Sequence, residues 1–342
     1  MTKVGLLITD VSCEDIYDMI YTFLAAKGRE ALFFGTRQEA ARRAFTRSYA
    51  GTEFPTLWFE LPLLGKPWFD LHVLTDTEKL APEEVDEARL PQGVAPIFRR
   101  FAKKEGARQL ALSWDVGAED DPTPAVQIMV RESSVNEEFL ECVGGPEAAG
   151  AYRAFRRRVP EEMFTCYTGV FPGRNWDKAL IRIENIPGDD LSLAFENDPK
   201  LLERHLKDIG VPPEVAAEVA ARFHELVPPP CVPEFQFDVN ADGTVGETFS
   251  ISIRFGLTDD DPRFPLLTVD SAAGDMMRKA EAWGVADDRW QRLPETNFAR
   301  RILGAPEGSL LFCYPAYLKL KWKDGALFDA KSYLAAGTLQ FS

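Results

Sequence analysis

One order recurs five times along this chain: a stretch with helical spacing of apolar residues, then two short alternating runs joined by a turn. It restricts the fold more than any other feature, because a helix and a hairpin that repeat together must bury the same face each time. The hairpins pair 56–61 with 68–74, 108–116 with 125–131, 164–171 with 178–186, 234–239 with 245–255, and 317–323 with 326–335. Asn240-Ala241-Asp242-Gly243 and Asp324-Gly325 supply the clearest turn chemistry. An α+β architecture follows: five helix-then-hairpin repeats whose ten strands close into an antiparallel β-barrel inside a solvent-exposed ring of α-helices. Because no polar linker separates the repeats, residues 1–342 are expected to form one domain.

Strand parity decides what the barrel encloses. Leu57, Phe59 and Leu61 share one face and Trp58 and Glu60 the other; Phe249, Ile251 and Ile253 oppose Ser250, Ser252 and Arg254; Leu318, Leu320 and Trp322 oppose Lys319, Lys321 and Lys323. The apolar face is the one a jacket of helices must cover, so the polar, basic face lines the interior. Charged side chains cannot face a dry interior unpaired, so the lumen must hold water or a ligand. The first fifty residues fit this scheme least well: 3–9 and 30–34 read as strands and 13–27 as a helix, a small βαβ start without a G-x-G-x-x-G fingerprint.

Charge and composition remove whole classes of function. A net charge of -15 on 342 residues repels phosphate backbones and anionic lipid, so neither nucleic acid nor a membrane is an expected partner. No apolar run approaches the roughly 20 residues that span a bilayer, and the beginning lacks a signal-peptide layout, so a cytoplasmic location is expected. Five scattered cysteines with no C-x-x-C pair, and three histidines without H-E-x-x-H or H-x-H spacing, predict no resident metal centre. Asp238, Asn240, Asp242 and Gly243 imitate the start of a calcium loop, but Phe249 stands where a bidentate Glu is required, and a hairpin turn accounts for them better. Without G-x-S-x-G or a phosphate loop, an α/β hydrolase is disfavoured.

The repeat order resembles that of the ABBA-type prenyltransferases, the PT-barrel family. Two segments carry the resemblance most directly: Phe-Gln-Phe-Asp-Val-Asn-Ala-Asp-Gly-Thr-Val at 235–245 and Phe-Asp-Ala-Lys-Ser-Tyr-Leu-Ala-Ala-Gly at 328–337, where members place a diphosphate-binding lysine. The resemblance implies transfer of a prenyl group from an allylic diphosphate, dimethylallyl or geranyl, to an aromatic small molecule or a peptide side chain. It also admits Mg2+ alongside the diphosphate.

Such chemistry needs cations at the leaving group, aromatic faces beside a developing carbocation, and exclusion of water. Arg131, Lys178, Arg182, Arg254, Lys319, Lys321 and Lys331 are the candidate anion cradle; Lys323 adjoins a turn and is expected to face solvent. Trp58, Trp68 and Tyr333 are the candidate aromatic walls. Glu60 and Asp70 are candidate proton acceptors with His72 beside them, although a hydrogen-bonded structural role for His72 is the simpler reading. The alternative function is a non-catalytic barrel that binds a small hydrophobic or anionic ligand.

Overall fold

The computed structural model describes residues 12–51, 53–116, 123–171, 180–226, 231–258, 261, 263–301 and 309–340. Its strands are β1 (Thr56–Pro62), β2 (Asp70–Asp76), β3 (Ala107–Trp114), β4 (Ala125–Val130), β5 (Met163–Val170), β6 (Ile181–Pro187), β7 (Pro233–Val239), β8 (Val245–Arg254), β9 (Phe298–Arg301), β10 (Ser309–Lys323) and β11 (Ala326–Gln340). Strands β1 to β8 pair in chain order, β8 pairs with β10, β10 with β11, and β11 with β1, so ten antiparallel strands close on themselves. Closure leaves the circle without an edge to pair with another chain. The eleventh strand, β9, stands outside the circle on residues 310–313 of β10, beyond the part that β8 covers.

Register follows turn chemistry and parity. Asp324 and Gly325 both have positive φ, 51° and 83°, the pair of left-handed residues that a two-residue hairpin with the strands' own twist requires. Between β7 and β8, Gly243 has φ 79° and closes the turn through its N–H to the Asn240 carbonyl at 2.9 Å.

The helices lie on the outside. Before β1 come α1 (Cys13–Ala25) and α2 (Gln38–Thr46); α3 (Ala95–Phe101) follows β2, and α4 (Ser134–Arg156), kinked at Gly145, follows β4. Then α5 (Asp189–Asn197), α6 (Pro199–Ile209) and α7 (Pro213–Leu226) follow β6, and α8 (Ala272–Ala282) follows β8. The main core is the shell between barrel and jacket. Phe59 packs edge-on to Phe34 at 6.0 Å, Phe237 meets Phe155 of α4 at 5.2 Å, and Phe235 meets Phe195 of α5 at 6.0 Å. Each such ring contributes roughly 1.5–3 kcal/mol of burial.

Several local expectations change. Residues Glu30–Phe34 form a π-helical turn instead of a strand, which places Phe33 and Phe34 in the core with Tyr21, Phe59 and Phe69. The expected strand at 3–9 lies outside the described residues. Asp198 caps α6, accepting from the Lys200 N–H with Pro199 at the first turn. Ser134 and Glu137 have the spacing of a capping box but do not form one: α4 already begins at Ser134, and Glu137 pairs with Arg153. Both strands of the last hairpin run well beyond 317–335, reaching Ser309 and Gln340. Among the described residues no helix is long and apolar enough to cross a membrane.

Candidate active site

The barrel encloses a chamber of about 290 Å³. Ten of the residues singled out by parity line it together: Trp58, Glu60, Trp68, Asp70, His72, Arg182, Lys319, Lys321, Lys331 and Tyr333. Neighbouring strands put them in contact, because Glu60 is registered with Asp70 on one side and with Tyr333 on the other, while Lys319 is registered with Lys331. Two candidates fall elsewhere. Arg131 follows the last residue of β4, its N–H bonds the Gly106 carbonyl, and its exposed guanidinium pairs with Glu78, so parity no longer governs it. Arg254, at the last position of β8, bonds Glu234 at 2.6 Å and lies over the Tyr317 ring, beside the chamber and not among its lining residues. Lys178 lies outside the described residues.

Reading parity one residue further along each strand finds the lining residues that were missed. Glu184 shares a face with Arg182, Glu234 and Gln236 alternate with Phe235 and Phe237, and Tyr317 begins the face of Lys319 and Lys321. Asp115 and Asp329 complete the acidic complement.

The charges are arranged as pairs and as one unpaired group. Lys331 Nζ stands 2.7 Å from Glu60 Oε1 and 3.7 Å from Asp70, over the face of Trp68 at 4.8 Å. Burial opposes its charge, but the carboxylates of Glu60 and Asp70 more than offset that and push its pKa up. Burial likewise works against Glu60, and Lys331, Lys319 and His72 hold it well below the usual carboxylate range. His72 bridges Glu60 Oε2, 3.1 Å from its Nε2, to Ser113 Oγ, 2.5 Å from its Nδ1; Ser113 in turn donates to Gln127 at 2.8 Å. Arg182 makes a two-pronged bond to Asp238, at 2.6 and 3.0 Å.

Lys319 and Lys321 differ from these: among the described residues neither has a carboxylate within ion-pair distance. Lys319 donates to Gln236 at 2.6 Å and to the Tyr333 hydroxyl at 3.2 Å. Lys321 lies 5.4 Å from the centre of the Phe328 ring. Burial lowers both, Lys319 to about 8 with Arg182 and Lys331 adding repulsion, and Lys321 to about 7 with Lys331 and Lys319 doing so. An entering anion would relieve that repulsion and favour both ammonium forms.

Aromatic rings occupy the next level. Trp58, Tyr317 and Tyr333 meet one another at 4.9, 5.9 and 6.1 Å and form a small apolar cluster separate from the outer core. Burial first, then Glu234 for Tyr317 and Glu60 for Tyr333, pushes both phenols well up, so they remain neutral. Glu184 is raised to about 8, by burial and then by neighbouring Glu234, and accepts from Gln236 at 3.2 Å. Among the described residues no group of three or more His, Cys, Asp or Glu side chains is placed to hold a metal ion.

A closed ten-stranded antiparallel barrel jacketed by helices, with a polar chamber inside, defines the PT-barrel fold of the aromatic prenyltransferases. The chain carries that fold over nearly its whole length. It is similar to 5-dimethylallyltryptophan synthase from Streptomyces coelicolor, with 14% identity, 96% of this chain and 98% of that one covered, and a TM-score of 0.50. It is similar also to the apo form of prenyltransferase PriB, with 13% identity, 96% of each chain covered, and a TM-score of 0.51. No protein-family model and no curated protein sequence matches the chain.

Proposed function

We propose that this protein is a prenyltransferase that moves a dimethylallyl or geranyl group from its diphosphate to an aromatic small molecule or to an aromatic side chain of a peptide. The observation that carries the reading is one chamber lined both by Lys319 and Lys321, which have no carboxylate within ion-pair distance among the described residues, and by Trp58, Tyr317 and Tyr333. Lys319, Lys321 and Lys331 receive the diphosphate through charge-assisted bonds. The allylic C–O bond breaks and the diphosphate leaves with its electron pair. The rings of Trp58, Tyr317 and Tyr333 face the resulting cation and keep water from it. An acceptor ring carbon attacks, a C–C bond forms, and the ring proton passes to Glu60, whose weak basicity suffices for so acidic a proton. The products are the prenylated acceptor, diphosphate and one proton. The lysines carry the leaving-group charge.

The test is incubation with dimethylallyl and geranyl diphosphates and with tryptophan, tyrosine, naphthols and short aromatic peptides, followed by mass spectrometry. We expect prenylated product, with Glu60→Gln lowering kcat about 10²–10⁴-fold while diphosphate still binds. If neither diphosphate binds at millimolar concentration, the reading is lost. A non-catalytic ligand-binding barrel then stands in its place, favoured by the carboxylates that already neutralise Lys331, Arg182 and Arg254.

A further inference from the structure

A second cavity, of about 300 Å³, lies at the end of the barrel where β1 begins and where β2 and β11 finish. Phe54, Pro55, Leu80 and Leu339 give it apolar walls, and Glu53, Asp76, Lys79 and Glu84 make up its charged side, with Lys79 paired to Glu53. Leu74 lines this cavity and the central chamber alike. Parity in β2 explains why: His72 and Leu74 point inward, while Val73 between them enters the outer core.

The register orders the chamber along its axis. Lys331 is registered with Pro62 of β1; then come Glu60 opposite Asp70, Trp58 opposite His72, and Thr56 opposite Leu74. The levels of Lys331 and Leu74 are therefore about 20 Å apart along β1, at ~3.3 Å per residue. A donor whose diphosphate sits on the lysines extends its hydrocarbon past the aromatic cluster towards Leu74. Ala111 and Met129 flank that end of the chamber and present no charge to it.

Resting on the prenyl-transfer reading, we propose that Leu74 is the floor of the donor site and sets the longest allylic chain it takes. Dimethylallyl and geranyl chains end above this side chain. The cavity beneath it receives the end of a farnesyl chain once the side chain is shortened. Its apolar walls suit isoprenoid methyl groups, and among the described residues Leu74 is the one that lines both it and the chamber.

The experiment measures binding of dimethylallyl, geranyl and farnesyl thiolodiphosphates by calorimetry, and transfer from the corresponding diphosphates, on the whole chain as wild type, Leu74→Ala, Leu74→Val and Leu74→Phe. The farnesyl-to-dimethylallyl affinity ratio is expected to rise about tenfold or more in Leu74→Ala, in line with what a few methylene groups decide in an apolar pocket. Leu74→Val should move it the same way by less, and Leu74→Phe should disfavour geranyl against dimethylallyl. Ratios unchanged within about twofold in Leu74→Ala or Leu74→Val, whichever melts in a single cooperative transition, would overturn the role of Leu74 and leave prenyl transfer standing. If wild type binds none of the three analogues, the donor site itself is lost and this assignment goes with it.

Discussion

Two glutamates in one chamber hold opposite protonation states, and cation placement is the reason. Glu60 has Lys331 at 2.7 Å and stays ionised; Glu184 faces Glu234 and Gln236, with Lys319 only a weaker, more distant help, and is raised by burial to about 8. A carboxyl raised in the folded state lowers stability as pH rises. Between its ordinary value of 4.5 and about 8 the unfolded chain has released that proton while the folded chain still holds it. Stability then falls by about 1.4 kcal/mol for each pH unit in that window from this group alone. Glu184→Gln removes the linkage. Thermal unfolding should therefore show the variant close to wild type near pH 4 and increasingly more stable up to pH 8, with the gap constant beyond. A gap independent of pH would mean that Glu184 is ionised throughout.

The hairpins make the chamber by placing every second side chain inside, and their turns hold that register. Gly243 is the most exacting of these positions, because its φ is 79° and an added Cβ would lie 2.4 Å from the Ala154 Cβ on α4. Gly243→Ala should cost about 1–2 kcal/mol for the left-handed backbone alone, and more for the collision, read as a lower midpoint in urea denaturation. This is also where the sequence spoke most clearly. Asn240 to Gly243 and Asp324-Gly325 mark turns by their own chemistry, and the alternation of Phe249, Ile251 and Ile253 with Ser250, Ser252 and Arg254 declares which face is covered. Periodicity carries no information about pairing between distant strands. That Lys331 would neutralise Glu60, or that Gln236 would occupy Lys319, depends on the register of β11 on β1 and on the chain closing into a ring. Nor does alternation mark where a strand stops: Arg131 keeps the inward parity of Gln127 and Met129 but lies past the end of β4. Phe33 and Phe34 mislead for the opposite reason, since a short apolar run reads as a strand whether the core takes it as one or as a helical turn.

At the scale of the whole molecule, the proposed diphosphate site sits inside a chain of net charge -15. The two fields differ in reach. Surface charge acts over a Debye length, about 30 Å at 0.01 M salt and about 10 Å at 0.1 M, whereas Lys319, Lys321 and Lys331 act at contact inside the chamber. A diphosphate approaching at low salt is repelled before it meets any lysine. Adding salt shortens that repulsion sooner than it weakens the bonds made inside. The association rate of dimethylallyl diphosphate should therefore rise several-fold between about 10 and 100 mM salt, with a much smaller change in the dissociation rate. Stopped-flow fluorescence can follow this directly, because Trp58 and Trp68 both line the chamber and Lys331 rests on the Trp68 ring. An association rate that falls with salt would show that the lysines' field reaches the barrel mouth and outweighs the surface, so that the interior steers its own ligand.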